Sequence, residues 1–194
     1  MWYGTSITQG ASASRPGMAT TNIVARALGL EILNFGFSGN GIMETSVGAY
    51  LAQVDAAGFL IDCLHNMRDT GVEANLAALV RQLRAASDAP IILAEGLPYG
   101  RAFEGAANAS RDRQLKRRAA QRAVFDQLRA EGVAGLFYGP PGDSLLADLP
   151  EVPGVAWQPT VAGTHPTDQA MAAMAAAWSR SLPGVLFPQP ATRS

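Results

Sequence analysis

The stretch Gly58-Phe59-Leu60-Ile61-Asp62-Cys63-Leu64 is apolar throughout except for one carboxylate. It is too short for a typical globular helix and lacks the polar alternation of a half-exposed strand. It suits a strand covered on both faces, as in a parallel sheet. Pro90-Ile91-Ile92-Leu93-Ala94 repeats the pattern, and Val133 to Tyr138 supplies another such run. Between these runs lie helical patterns. Val72, Leu76, Leu79, Val80 and Leu83 recur at helical period over Gly71 to Ala86. A basic amphipathic helix is expected from about Arg111 to Glu131, with Gly132 closing it.

The N-terminal part alternates in the same way. Trp2-Tyr3 reads as the end of a first strand, followed by the turn Gly4-Thr5-Ser6-Ile7-Thr8-Gln9-Gly10. A helical face of Met18, Ile23, Val24, Ala27 and Leu28 is closed by Gly29. Glu31 to Phe35 is a second short strand. A glycine-rich loop, Gly36 to Gly41, and a helix from about Thr45 to Ala56 follow. Glu95 to Ser110 reads as a long loop of the kind that lines sites. Gly139 to Pro159 is a Pro/Gly-rich connection, and a last helix is expected from Pro166, at the first helical position, to about Ser181. Five strand–helix alternations define an α/β chain with a mostly parallel five-stranded sheet and helices on both faces. One domain is expected over residues 1–194.

Composition narrows the function classes. The 15 basic and 16 acidic residues nearly balance, so no nucleic acid or anionic membrane partner is expected. The single cysteine, Cys63, allows no internal disulfide, and with only His65 and His165 the spacing of a metal site is missing. Neither a membrane-length apolar run nor a signal peptide is visible, which makes a cytoplasmic location the default expectation. A strand at the very start of the chain raises the expectation of a missing upstream segment.

Four positions can carry chemistry. Ser6, Gly39 and Asn66 each follow an expected strand, and His165 precedes the last helix. In an open α/β sheet, ligands bind at the carboxyl ends of the strands. A serine there needs a base to take its proton, and a developing oxyanion needs donors set in advance. A serine in a glycine turn can equally cradle phosphate, although this turn lacks the lysine of a phosphate-binding loop. Taken singly, Ser6 and Gly39 read as turn residues and Asn66 as a helix cap.

Together these blocks resemble the SGNH (GDSL-like) hydrolase superfamily. The residues that carry the resemblance are Gly4 to Gly10, Asn34-Phe35-Gly36-Phe37-Ser38-Gly39-Asn40, Asn66, and Gly163-Thr164-His165-Pro166, in the family's order. The resemblance implies a flavodoxin-like three-layer αβα sandwich and a serine esterase needing neither cofactor nor metal. It implies Ser6 as nucleophile, His165 as proton shuttle, and an oxyanion hole of the Ser6 and Gly39 N–H groups and the Asn66 side chain. Small acyl esters, including acetylated sugars, are the implied substrates; the oligomeric state is left open.

Two positions depart from the family pattern. Thr5 stands where the family usually has Asp before the serine. Ala162 stands three residues before His165, where the family usually has the triad Asp. The acid of a triad fixes the imidazole tautomer, and its loss can cost about 10⁴ in kcat. A dyad, a carboxylate from elsewhere, or an inactivating substitution are the three accounts of Ala162. Asp168, three residues after His165, is expected to serve the helix start instead. Thr5, Arg15, His65 and Tyr99 are candidates for substrate contact, and His65 is equally a bystander. The alternatives to an active esterase are a weakened member that binds esters or sugars, and a flavodoxin-like phosphate or nucleotide binder.

Overall fold

A computed structural model describes residues 1–68, 71–98, 109–149 and 159–188. Five strands form one parallel sheet: β1 (Trp2–Thr5), β2 (Asn34–Phe37), β3 (Phe59–Asp62), β4 (Ile91–Leu93) and β5 (Leu136–Tyr138). Their order is β2-β1-β3-β4-β5, every neighbouring pair parallel. The helices are α1 (Ser6–Gln9), α2 (Thr20–Leu28), α3 (Thr45–Leu51), α4 (Gly71–Ala86), α5 (Ala109–Ala130) and α6 (Asp168–Leu186). This is the αβα sandwich expected from the alternation.

The strands alternate between two cores. Tyr3, Phe59, Ile61, Ile91 and Leu93 point to one face, where Leu51 of α3, Leu76, Leu79 and Leu83 of α4, and Val124 and Leu128 of α5 cover them. Trp2, Leu60 and Ile92 point to the other face, under Val24 of α2 and Met174, Trp178 and Leu182 of α6. Burial of both faces explains why β3 and β4 read as continuous apolar runs. Trp2 and Trp178 meet edge to face at 5.4 Å. Trp178 is almost wholly buried. Trp178→Ala is therefore expected to cost about 3–5 kcal/mol of stability, to be read as a lower urea midpoint with an unchanged slope.

Four expectations need correction. β2 begins at Asn34 rather than Glu31, because its ladder is set by the register Trp2↔Asn34 to Thr5↔Phe37. The helix of Thr45 ends at Leu51, not Ala56. Pro166 is not the first helical residue. It pairs in a small antiparallel hairpin of β6 (Thr160–Val161) and β7 (His165–Pro166). Thr167 caps α6 instead, its hydroxyl accepting the Ala170 N–H at 3.3 Å, and α6 runs on through Pro183 to Leu186. Asn66 ends a 3₁₀ turn, Leu64–Asn66, and caps no helix. No helix among the described residues is long and apolar enough to cross a membrane.

Candidate active site

The loops after β2, β1 and β3 leave three adjacent strands at their carboxyl edge, which brings Gly39, Ser6 and Asn66 side by side. Ser6 opens the one-turn helix α1 directly from β1. Thr5 caps that turn: its side chain accepts the Ile7 N–H at 3.2 Å. Gly10 ends it in the left-handed region (φ 92°), its N–H returning to the Ser6 and Ile7 carbonyls. Ser6 is thus held by hydrogen bonds at both ends of its own turn.

His165 arrives from the opposite direction, on the hairpin. Its Nε2 lies 2.9 Å from Ser6 Oγ. When Ser6 donates this bond, Nε2 is the unprotonated nitrogen and the proton sits on Nδ1. The loop Ala162-Gly163-Thr164 closes the hairpin, with Thr164 N–H donating to the Val161 carbonyl at 3.1 Å. Ala162 adopts φ 51° and Gly163 φ 72°. Positive φ is uncommon for Ala and better tolerated by Asp or Asn. Residue 162 therefore has a left-handed backbone of the kind Asp and Asn adopt more readily, and a methyl side chain.

Asp168 does not replace the acid. Its carboxylate accepts the Ser14 N–H at 2.8 Å and the Ser14 hydroxyl. Those bonds, with Arg15 nearby, hold its pKa below the usual carboxylate range. Asp168 thus ties the loop after Ser6 to the start of α6. Among the described residues no carboxylate bonds the His165 imidazole.

Asn66 and the Gly39 loop are joined directly: Asn66 Nδ2 donates to the Asn40 carbonyl at 2.6 Å. A primary amide has two N–H donors, so one remains for another acceptor. Gly39 (φ 70°) is exposed, and no heavy atom lies within 4 Å of where a Cβ would be. Gly41 is different: a Cβ there would lie 2.1 Å from the Gly4 carbonyl oxygen. Glycine at 41 lets the loop press against β1. The Asn40–Asn66 tie was missed in the sequence, because a backbone acceptor leaves no compositional signal.

The four candidates for substrate contact fall differently. Thr5 is fully buried and used as a cap. His65 is buried, with Nε2 donating to the Leu97 carbonyl at 2.9 Å. Burial drives its pKa down to about 4, and Arg118, Arg117 and His165 add to that against the Leu97 bond. Its ring is buried and its lowered pKa keeps it neutral near pH 7. Arg15 is exposed beside Ser14 and Asp168. Tyr99 lies outside the described residues.

Comparison with known proteins follows the same lines. Residues 1–183 match the model of the GDSL-like Lipase/Acylhydrolase family, and the chain belongs to that family. A protein from Bacteroides ovatus assigned to the GDSL-like lipases is 32% identical (TM-score 0.86), over 95% of this chain and 52% of that one. A salicylyl-acyltransferase from a tetracycline biosynthetic pathway is 19% identical (TM-score 0.76), over 96% of this chain and 55% of that one. The chain thus spans about half the length of these two. An acetylxylan esterase from Geobacillus stearothermophilus shares the fold at 18% identity (TM-score 0.61), over 100% of this chain and 95% of that one. No curated protein matches the chain.

Proposed function

We infer that the chain is a serine-dependent carboxylic ester hydrolase that works through an acyl-Ser6 intermediate on small acyl esters. The observation that carries this reading is the 2.9 Å approach of Ser6 Oγ to His165 Nε2. Ser6 Oγ attacks the acyl carbon and its proton passes to Nε2. The carbonyl π pair moves onto oxygen, where the Ser6 and Gly39 N–H groups and the free Asn66 N–H receive it. Collapse breaks the ester C–O bond, and Nε2 returns the proton to the leaving alkoxide. Water then repeats the sequence and frees Ser6. Acetyl groups on sugars are the favoured substrates, on the fold shared with an acetylxylan esterase.

Acetate release from p-nitrophenyl acetate and from acetylated xylan tests this, each compared with an equal concentration of heat-inactivated protein. Turnover of both is expected; no release from either overturns it. Asn66→Ala is expected to lower kcat by about 10²–10³-fold, with KM little changed. Steady-state kinetics on p-nitrophenyl acetate check this. Ala162 favours a second reading, in which the chain binds esters or sugars but turns them over slowly for want of a group to orient His165.

A further inference from the structure

Asp62 is the one carboxylate in the apolar run of β3, and the chemistry above does not use it. It is buried, and its Oδ2 accepts the Thr8 hydroxyl at 3.0 Å. Its Oδ1 is equally buried and has no hydrogen-bond partner. Thr8 belongs to α1, two residues beyond Ser6 on the same single turn. The Thr8 carbonyl is held as well, accepting from Asn34 Nδ2 at 2.8 Å. β1 leaves room for this contact at Gly4, which is in register with Asp62. A Cβ at Gly4 would lie 2.0 Å from Thr8 Oγ1 and 2.6 Å from the Asp62 carbonyl oxygen. Strand β1, strand β3 and the turn of Ser6 therefore meet at one buried charge-assisted hydrogen bond.

A half-paired carboxylate is a costly way to fill a strand interior. We propose that Asp62, acting through the Thr8 hydroxyl, is a positioning residue that fixes the turn carrying Ser6 against β3. The proposal rests on the reading of Ser6 as the nucleophile. Small displacements of a reacting group are expensive: about 1 Å can cost about 10²-fold in rate. A one-turn helix has too few internal bonds to hold such precision alone.

Charge at Asp62 should be felt by the turn. Burial raises its pKa to about 6, against the opposing Thr8 hydrogen bond and the influence of the nearby Trp2 indole. Among the described residues, the titratable group it acts on is the neighbouring Cys63 thiol, itself pushed up first by burial. Thr8 of α1 and Trp2 of β1 do not titrate. The folded carboxyl binds its proton more tightly than the unfolded one, which titrates near pH 4. Stability from this group is thus present below about pH 4 and falls as pH rises to about 6. Asp62→Asn removes that loss.

Kinetics on p-nitrophenyl acetate, melting at pH 8 and the Ser6 amide resonance test the proposal together. Thr8→Val should lower kcat by about 10-fold or more with KM within about twofold, and Thr8→Ser should restore it. Asp62→Asn should lower kcat at least about threefold while Tm at pH 8 holds or rises by about 3 °C. A slower but no less stable enzyme cannot be slow through general unfolding. A folded Thr8→Val with kcat within twofold of the parent, or a loss carried by KM alone, overturns the proposal. If the parent shows no turnover, the nucleophile reading fails, and the Ser6 amide then decides the anchor separately. A shift centred near pH 6 that Asp62→Asn abolishes supports it; a flat Ser6 amide overturns it.

Discussion

Replacing Ala162 with aspartate is expected to raise kcat on p-nitrophenyl acetate by about 10²-fold. The reasoning starts from the backbone. Ala162 already holds a left-handed conformation that Asp adopts more readily than Ala, so the substitution asks for no movement of the hairpin. The following turn delivers His165 to within 2.9 Å of Ser6, with no carboxylate on its imidazole among the described residues. A carboxylate three residues before the histidine would fix the proton on Nδ1 and stabilise the imidazolium. Triads that lose this group slow by about 10⁴, so recovering half of that on a logarithmic scale is a modest expectation. Ala162→Asn separates the two effects. It is expected to match the aspartate variant in thermal stability, since both tolerate positive φ, and to leave kcat near the parent value. An unchanged kcat in Ala162→Asp would mean that another group orients His165.

Ser6→Ala carries the second large effect, and its size depends on residue 162. Catalytic residues that act as a unit are non-additive. Where losing the nucleophile costs about 2 × 10⁶ and losing the acid alone about 3 × 10⁴, an enzyme already lacking the acid has only about 10² left to lose. Ser6→Ala should therefore cost about 10²-fold in kcat in the parent chain and about 10⁴-fold in the Ala162→Asp background. Equal losses in both backgrounds would show that residue 162 and Ser6 do not share one reaction coordinate. Measured together, the four proteins form a double-mutant cycle whose coupling is the test.

Different parts of this molecule were legible to different degrees. Helix α4 matches its expected span, Gly71 to Ala86, because five apolar residues at helical period face one core. β3 and β4 were legible as buried strands for the complementary reason: both of their faces are covered. β2 was misplaced by three residues. It uses Asn34 and Gly36, residue types that strands disfavour, because their job is to receive α1. Asn34 binds the Thr8 carbonyl, and a Cβ at Gly36 would lie 2.2 Å from Gln9 N. The hairpin of β6 and β7 was invisible, since two-residue strands have no period to detect.

The candidate site divides in the same way. Ser6, Gly39, Asn66 and His165 were legible as blocks; Ser6 directly follows β1, Gly39 and Asn66 lie in the loops after β2 and β3, and His165 opens β7. Their supports were not. Thr5 as a cap, Asn40 as the partner of Asn66, and Asp168 as the clasp on Ser14 are set by tertiary contacts between residues distant in sequence. Ala162 was legible as a departure from the family pattern. That its backbone still has the conformation suited to Asp was not.

The central claim is that Ser6 is an activated nucleophile even without the usual acid. Incubation with a fluorophosphonate, followed by peptide mapping by mass spectrometry, tests it most directly. One phosphonyl adduct per chain on Ser6, absent from Ser6→Ala and slowed by loss of the His165 imidazole, is the predicted result. No adduct, or an adduct on another residue with Ser6 unmodified, would contradict the account.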